Sequence, residues 1–197
     1  MICSESLGVS LAGWLGDLFA SGVYACGEWG VGVGWGDGFL LVMMILFLRH
    51  AEAADAADDF SRLLTARGVA QSVKVGKFIA SSGVEPDLLI SSPVVRARQT
   101  AEAVCANLEG LEMRMGDWLS CGMSPETCFR ELEAFQDLAL VVLVGHEPDF
   151  GEAIAWILGM ESSEALHIRK ASLTAISVSS FSWGGGRLEF SLPARLM

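Results

Sequence analysis

Two strongly apolar runs in this chain end abruptly in a histidine: LVMMILFLRH closes on His50 and LALVVLVGH closes on His146. An apolar run without polar alternation marks a strand buried on both faces, as in parallel sheets covered by helices on either side. When such a run stops at a titratable side chain, the chain delivers that group to the carboxyl edge of the sheet, where open α/β proteins bind ligands. Both histidines are therefore expected to face one pocket. Arg49 directly precedes His50, and in DLLISSPVVRARQTAEAV a third short apolar run is again followed by arginines. Imidazoles and guanidiniums converging at strand ends suit a phosphoryl group, with one imidazole free to act as nucleophile.

The segments between these runs fit the same scheme. The spacing predicts a first strand over 43–48, then a polar loop, AEAADAADD, over the strand edge. Thr65 is placed to N-cap a helix running to about 82, with Val69, Val73 and Phe78 among its apolar positions. DLLI is a second buried strand, followed by a helix from about Pro93 to Leu108, proline being tolerated in a first turn. Leu111 to Leu119 is ambiguous, one reading being a short edge strand followed by a loop. Ser124-Pro125-Glu126 starts a helix carrying Phe129, Leu132 and Phe135, residues 138–144 form a third strand, and a helix after His146 stops at Gly159. ASLTAISVSSF and RLEFSL, joined through WGGG, predict an antiparallel C-terminal hairpin. The expected fold is α/β, a three-layer α/β/α sandwich around a mostly parallel sheet.

The net charge of −11 carries no basic stripe, which argues against a nucleic-acid partner and for a small local anionic target. The five cysteines form no CxxC pair and are read as buried or incidental thiols, and no His/Cys/carboxylate spacing suggests a metal. Residues 1–42 differ in composition: they hold 10 of the 22 glycines and 3 of the 6 tryptophans, and no lysine, arginine or proline. We expect residues 1–42 to be a disordered or non-native extension and residues 43–197 to be the folded domain. The segment has no positive n-region of a secretory signal, and its apolar stretches are short and glycine-broken, so neither export nor a membrane span is expected.

Residue by residue, His50 is the candidate nucleophile and has to be neutral when it attacks, a state that nearby guanidiniums favour. Arg96 and Arg98 lie about 200° apart on an ideal helix, so both cannot face the pocket. Arg96 is assigned to phosphate, and Arg98 to a surface pair with Glu102. Ser92 is a candidate hydroxyl donor, His146 a ligand of phosphoryl oxygen, and His167 an ordinary surface residue.

LRHAEA, SSPVVRARQTAE and VGHEPDF, in that order, resemble the histidine phosphatase superfamily, the phosphoglycerate mutase-like group. The compact size and the RLLTARG segment most resemble its SixA-type phosphohistidine phosphatase branch. The resemblance covers about residues 44 to 180. It implies His50 as the phosphorylated nucleophile, Arg49, Arg96 and His146 as phosphate ligands, and Arg62, before the LT-x-x-G turn, as a further contact. It also implies a phosphatase that needs no metal or other cofactor. The expected substrate is a phosphorylated protein of the histidine-containing phosphotransfer type, the alternatives being a small phosphorylated metabolite or mere phospho-binding. A cytoplasmic monomer is expected. Two departures stand out: Ala51 occupies a position that is often glycine, and the glutamate proton donor of larger relatives has no firm match, Asp117 and Glu52 being the nearest candidates.

Overall fold

The computed structural model describes residues 43–197, so the expectation for residues 1–42 lies outside the described residues. Strands β1 (Met43–Arg49), β2 (Leu88–Ser91), β3 (Met113–Met115), β4 (Leu140–Gly145), β5 (Ser172–Val178) and β6 (Gly186–Pro193) form one sheet in the order β3-β2-β4-β1-β5-β6. β1 to β4 pair parallel, while β5 runs antiparallel to β1 and to β6, which makes the predicted C-terminal hairpin. The ambiguous stretch after Leu111 resolves into edge strand β3 followed by a 3-10 turn, Asp117–Leu119.

Alternate side chains of β1 enter opposite cores, which is why its sequence shows no polar period. Met44, Leu46 and Leu48 pack under α1 (Ala66–Ser81) and α2 (Val95–Cys105), against Val75, Ile79 and Val104. Met43, Ile45 and Phe47 face α3 (Pro125–Leu132) and α4 (Asp149–Ile157), against Phe129, Phe150 and Ile154. Each fully buried side chain of this size contributes on the order of 1.5–3 kcal/mol through burial.

Thr65 caps α1 by accepting from the Gly68 amide, and Ser124 caps α3 by accepting from that of Thr127. Gly159, at φ +73°, ends the chain's turn out of α4, as its left-handed backbone requires. The inward face of α1 differs from expectation. Val69 is exposed, and the buried positions are Gly68, Ser72, Val75, Gly76, Phe78 and Ile79. Small residues let this face approach its neighbours: a Cβ on Gly68 would lie 2.0 Å from the Glu52 carbonyl oxygen, and one on Gly76 2.9 Å from that of Val104. α2 begins at Val95, two residues after the predicted proline, and Phe135 falls in a 3-10 turn beyond α3, partly buried against the same core. Among the described residues no helix is long and apolar enough to cross a membrane.

Candidate active site

The strand order places the carboxyl ends of β2, β4 and β1 side by side. The backbone ladder continues one step past each end, with Ser92 N–H donating to the Val144 carbonyl and His50 N–H to that of Gly145, each at 2.9 Å. Ser92, His146 and His50 thus leave the sheet in a row. The two imidazole rings lie 5.3 Å apart between centroids, tilted by 54°, and both are buried. The glycine before His146 answers to packing: a Cβ at Gly145 would sit 2.6 Å from the Phe150 ring, itself fixed edge-on against Phe47.

The tautomer of His50 follows from its partners. Its Nδ1 lies 2.8 Å from the Ala51 carbonyl oxygen, which can only accept, so Nδ1 carries the proton and Nε2 the lone pair. Arg96 Nε–H donates to Nε2 at 3.2 Å. The turn that holds this geometry is pinned to α2: Ala51 N–H donates to Thr100 Oγ1, which donates to the Arg96 carbonyl. Burial, reinforced by His146, Arg96 and Arg49, pulls the His50 imidazole down to about 3, against the opposing pull of the Ala51 hydrogen bond. His146 is brought down to about 4, first by burial and then by Arg96 and Arg49, with Asp59 acting the other way. Both rings are neutral at neutral pH.

Arg49 Nη1 donates to the Ile168 carbonyl at 2.7 Å, while its Nε is buried with no hydrogen-bond partner. His146 Nε2 lies 2.9 Å from Ser92 Oγ, and its Nδ1 is likewise buried and unpartnered. Two unsatisfied polar atoms beside an imidazole lone pair form a site for a polar ligand, because native interiors seldom leave such groups unmatched.

Arg96 is buried as expected, and Arg98 pairs with Glu102 at 3.6 Å on the surface. His167 is exposed. Arg62 Nε donates to the Ala54 carbonyl and its two Nη groups to Asp59 and Asp55, so three of its five N–H groups are engaged within the 54–62 loop. The two proton-donor candidates differ in their surroundings. Glu52 accepts from the Thr65 hydroxyl and pairs with Arg67 at the start of α1, and Asp117 is exposed on the 3-10 turn. Ser92 serves His146 and the Val94 amide. Cys121 is exposed and its Sγ lies 3.5 Å from Arg96 Nη2, so it is neither buried nor remote from the site.

Sequence reasoning missed Thr100 and Asp59. Thr100 could have been found, since it lies four positions after Arg96 and so shares its helix face. Asp59 carried no such signal, because its reach to Arg96 depends on the path of an irregular loop.

A parallel-sheet edge bearing two neutral imidazoles and two arginines defines an α/β enzyme of the phosphoryl-handling class. Residues 45–120 match the model of the histidine phosphatase superfamily, branch 1. The chain is 32% identical over 139 residues to an uncharacterised protein of Picosynechococcus sp., covering 68% of this chain and 84% of that one. It is 30% identical over 117 residues to the phosphohistidine phosphatase SixA of Escherichia coli, covering 57% of this chain and 73% of that protein. A solved structure of the protein histidine phosphatase SixA complexed with tungstate has the same fold, with a TM-score of 0.71 at 24% identity over 78% of this chain and 98% of that one. The chain belongs to the histidine phosphatase superfamily and is a phosphatase, a hydrolase acting on phosphoryl groups.

Proposed function

We propose that this chain is a protein phosphohistidine phosphatase working through a phosphohistidine at His50. The observation that carries the reading is the fixed tautomer of His50, whose Nε2 lone pair faces the Arg96 guanidinium. In the first step Nε2 attacks phosphorus in line. The new N–P bond forms as the bond to the donor imidazole breaks, and that imidazole leaves with a proton from solvent. Water then attacks the phosphorus on His50, releasing orthophosphate and restoring the free imidazole.

Arg49 Nε–H and Arg96 Nε–H are the donors for the phosphoryl oxygens, whose charge they offset, Arg96 Nε–H passing from His50 Nε2 to the phosphoryl group as the lone pair is freed for attack. Ser92 Oγ accepts from the Val94 amide and lies 2.9 Å from His146 Nε2, and in this reading it gives its own proton to that nitrogen. That leaves a proton on the unpartnered His146 Nδ1, making it a neutral donor to a third oxygen. The Glu52 carboxylate is tied to Thr65 and Arg67, which favours phosphohistidine over an alkyl phosphate ester. A protonated imidazole leaves readily, whereas an alkoxide needs a placed acid.

The test sets a phosphorylated histidine-containing phosphotransfer domain beside a panel of sugar and nucleotide phosphates. The wild-type chain should release orthophosphate fastest from the phosphoprotein, and His50→Ala and Arg96→Ala should lose turnover while keeping the fold. Faster turnover of a small ester would replace the substrate assignment, and an active His50→Ala variant would remove the nucleophile.

A further inference from the structure

A guanidinium has two edges that can receive an oxyanion: one formed by Nε and one Nη, the other by the two Nη groups. In Arg96 the second edge is already occupied. Nη1 donates to the Asp59 backbone carbonyl at 2.7 Å and Nη2 to Asp59 Oδ2 at 3.0 Å. The first edge is the one turned inward, with Nε on His50 Nε2 and Nη2 also within 3.5 Å of Cys121 Sγ. Asp59 is held in its turn from the outside, where Oδ1 accepts from Arg62 Nη1 at 3.1 Å and Arg62 Nε is anchored on the Ala54 carbonyl. An unbroken chain of contacts therefore runs from the 54–62 loop through Asp59 to the arginine that touches the nucleophile.

We propose that Asp59 is a positioning residue that grips the outer edge of Arg96 and so aims its inner edge at the phosphoryl group, with Arg62 as the strut behind it. Arg62 thereby takes a role in phosphate binding without touching phosphate. The contact is bidentate, through one backbone and one side-chain oxygen, so it fixes rotation of the guanidinium as well as its place. The Asp59 side chain is more than half exposed and its loop is polar, so replacing it removes the side-chain half of the grip, and its charge, without opening the core. The proposal rests on the reading of Arg96 as a phosphate ligand.

The experiment measures orthophosphate affinity by calorimetry, kcat and KM on para-nitrophenyl phosphate, and Tm, for the full chain and for Asp59→Ala, Asp59→Asn, Arg62→Ala and Arg96→Ala. Asp59→Ala should weaken orthophosphate binding by about tenfold and lower kcat, the scale of one charge-assisted hydrogen bond. Asp59→Asn keeps an amide oxygen that can accept from Nη2 and should recover part of both losses. Arg62→Ala should act in the same direction to a smaller degree, and Tm should stay near that of the wild type in all three. Asp59→Ala affinity and kcat/KM within about twofold of wild type, with Arg96→Ala inactive, would overturn the positioning role alone. Tighter orthophosphate binding by Asp59→Ala would overturn it too, since the carboxylate would then be a competitor. An active Arg96→Ala variant would instead overturn the site assignment, and the role of Asp59 with it.

Discussion

Acidification should destabilise this fold earlier and more steeply than its carboxylates alone would cause, because two histidines are buried neutral. In the unfolded chain each titrates near 6.5, whereas in the fold His50 is pulled down to about 3 and His146 to about 4. Below 6.5 the unfolded state therefore binds more protons than the native state, and stability falls as pH falls. The contribution is complete above the unfolded value and is lost progressively down to the folded ones. Within that window each imidazole costs about 1.4 kcal/mol per pH unit, or about 2 kcal/mol apiece at about pH 5. Together that is about 4 kcal/mol, a large share of the roughly 5–15 kcal/mol that holds an ordinary domain together. Urea denaturation of the wild type and of a His50→Asn/His146→Asn double variant at several pH values isolates the effect, because their carboxylates are the same and cancel. The wild type should lose stability on acidification and the double variant should stay nearly flat until its carboxylates begin to protonate. Equal slopes in the two proteins would refute the claim that both rings are held neutral by burial. The same cause sets the kinetics: kcat/KM reports groups of the free enzyme, so it should show no acid inflection near the ordinary histidine value.

Two further substitutions probe the backbone around the site. Gly68→Ala drives a Cβ to 2.0 Å from the Glu52 carbonyl oxygen, which belongs to backbone and cannot swing aside; chemical denaturation should show a loss of about 3 kcal/mol or more. Thr100→Val keeps the side-chain shape but strands the buried Ala51 amide that donates to Thr100 Oγ1 at 3.1 Å, which should cost about 1–3 kcal/mol. Because the Ala51 carbonyl orients His50, kcat should fall in Thr100→Val even where Tm shows the protein fully folded.

The parts of the structure legible in the sequence are those in which one local cause decides. Continuous apolar runs gave β1 and β4, since burial on both faces leaves no polar period, and the capping roles of Thr65 and Ser124 follow from hydroxyl chemistry at helix starts. Helical geometry keeps Arg96 and Arg98 from facing the pocket together, the place of Arg96 in the first turn and Glu102 four positions after Arg98 decide between them, and Arg98 does pair with Glu102. The inward face of α1 was misread because it is built partly from Gly68, Ser72 and Gly76, whose use is close approach, whereas a hydrophobic pattern weights Val69. The surroundings of Arg62 were hidden for a different reason. Its charge and spacing suit a phosphate, and only the course of the 54–62 loop shows that Ala54, Asp55 and Asp59 engage three of its five N–H groups.

Topology, more than any single motif, makes the site. After β1 the chain passes over to β2 and the edge strand β3, and β4 then returns into the gap between β1 and β2. Adjacent strands lie about 4.8 Å apart, so groups leaving neighbouring strands at the same level emerge at about that spacing. Arg49 is level with Gly145, and Ser91 with Val144, so the first residues beyond the ladder are His50 and His146, with Ser92 close beside them. The ring separation of 5.3 Å is thus the strand spacing slightly relaxed by the tilt of the imidazoles. A ligand held by both rings has to sit across that gap, which is the width of a phosphoryl group and little more. The 54–62 loop and the turn carrying Cys121 border this floor, both touching Arg96.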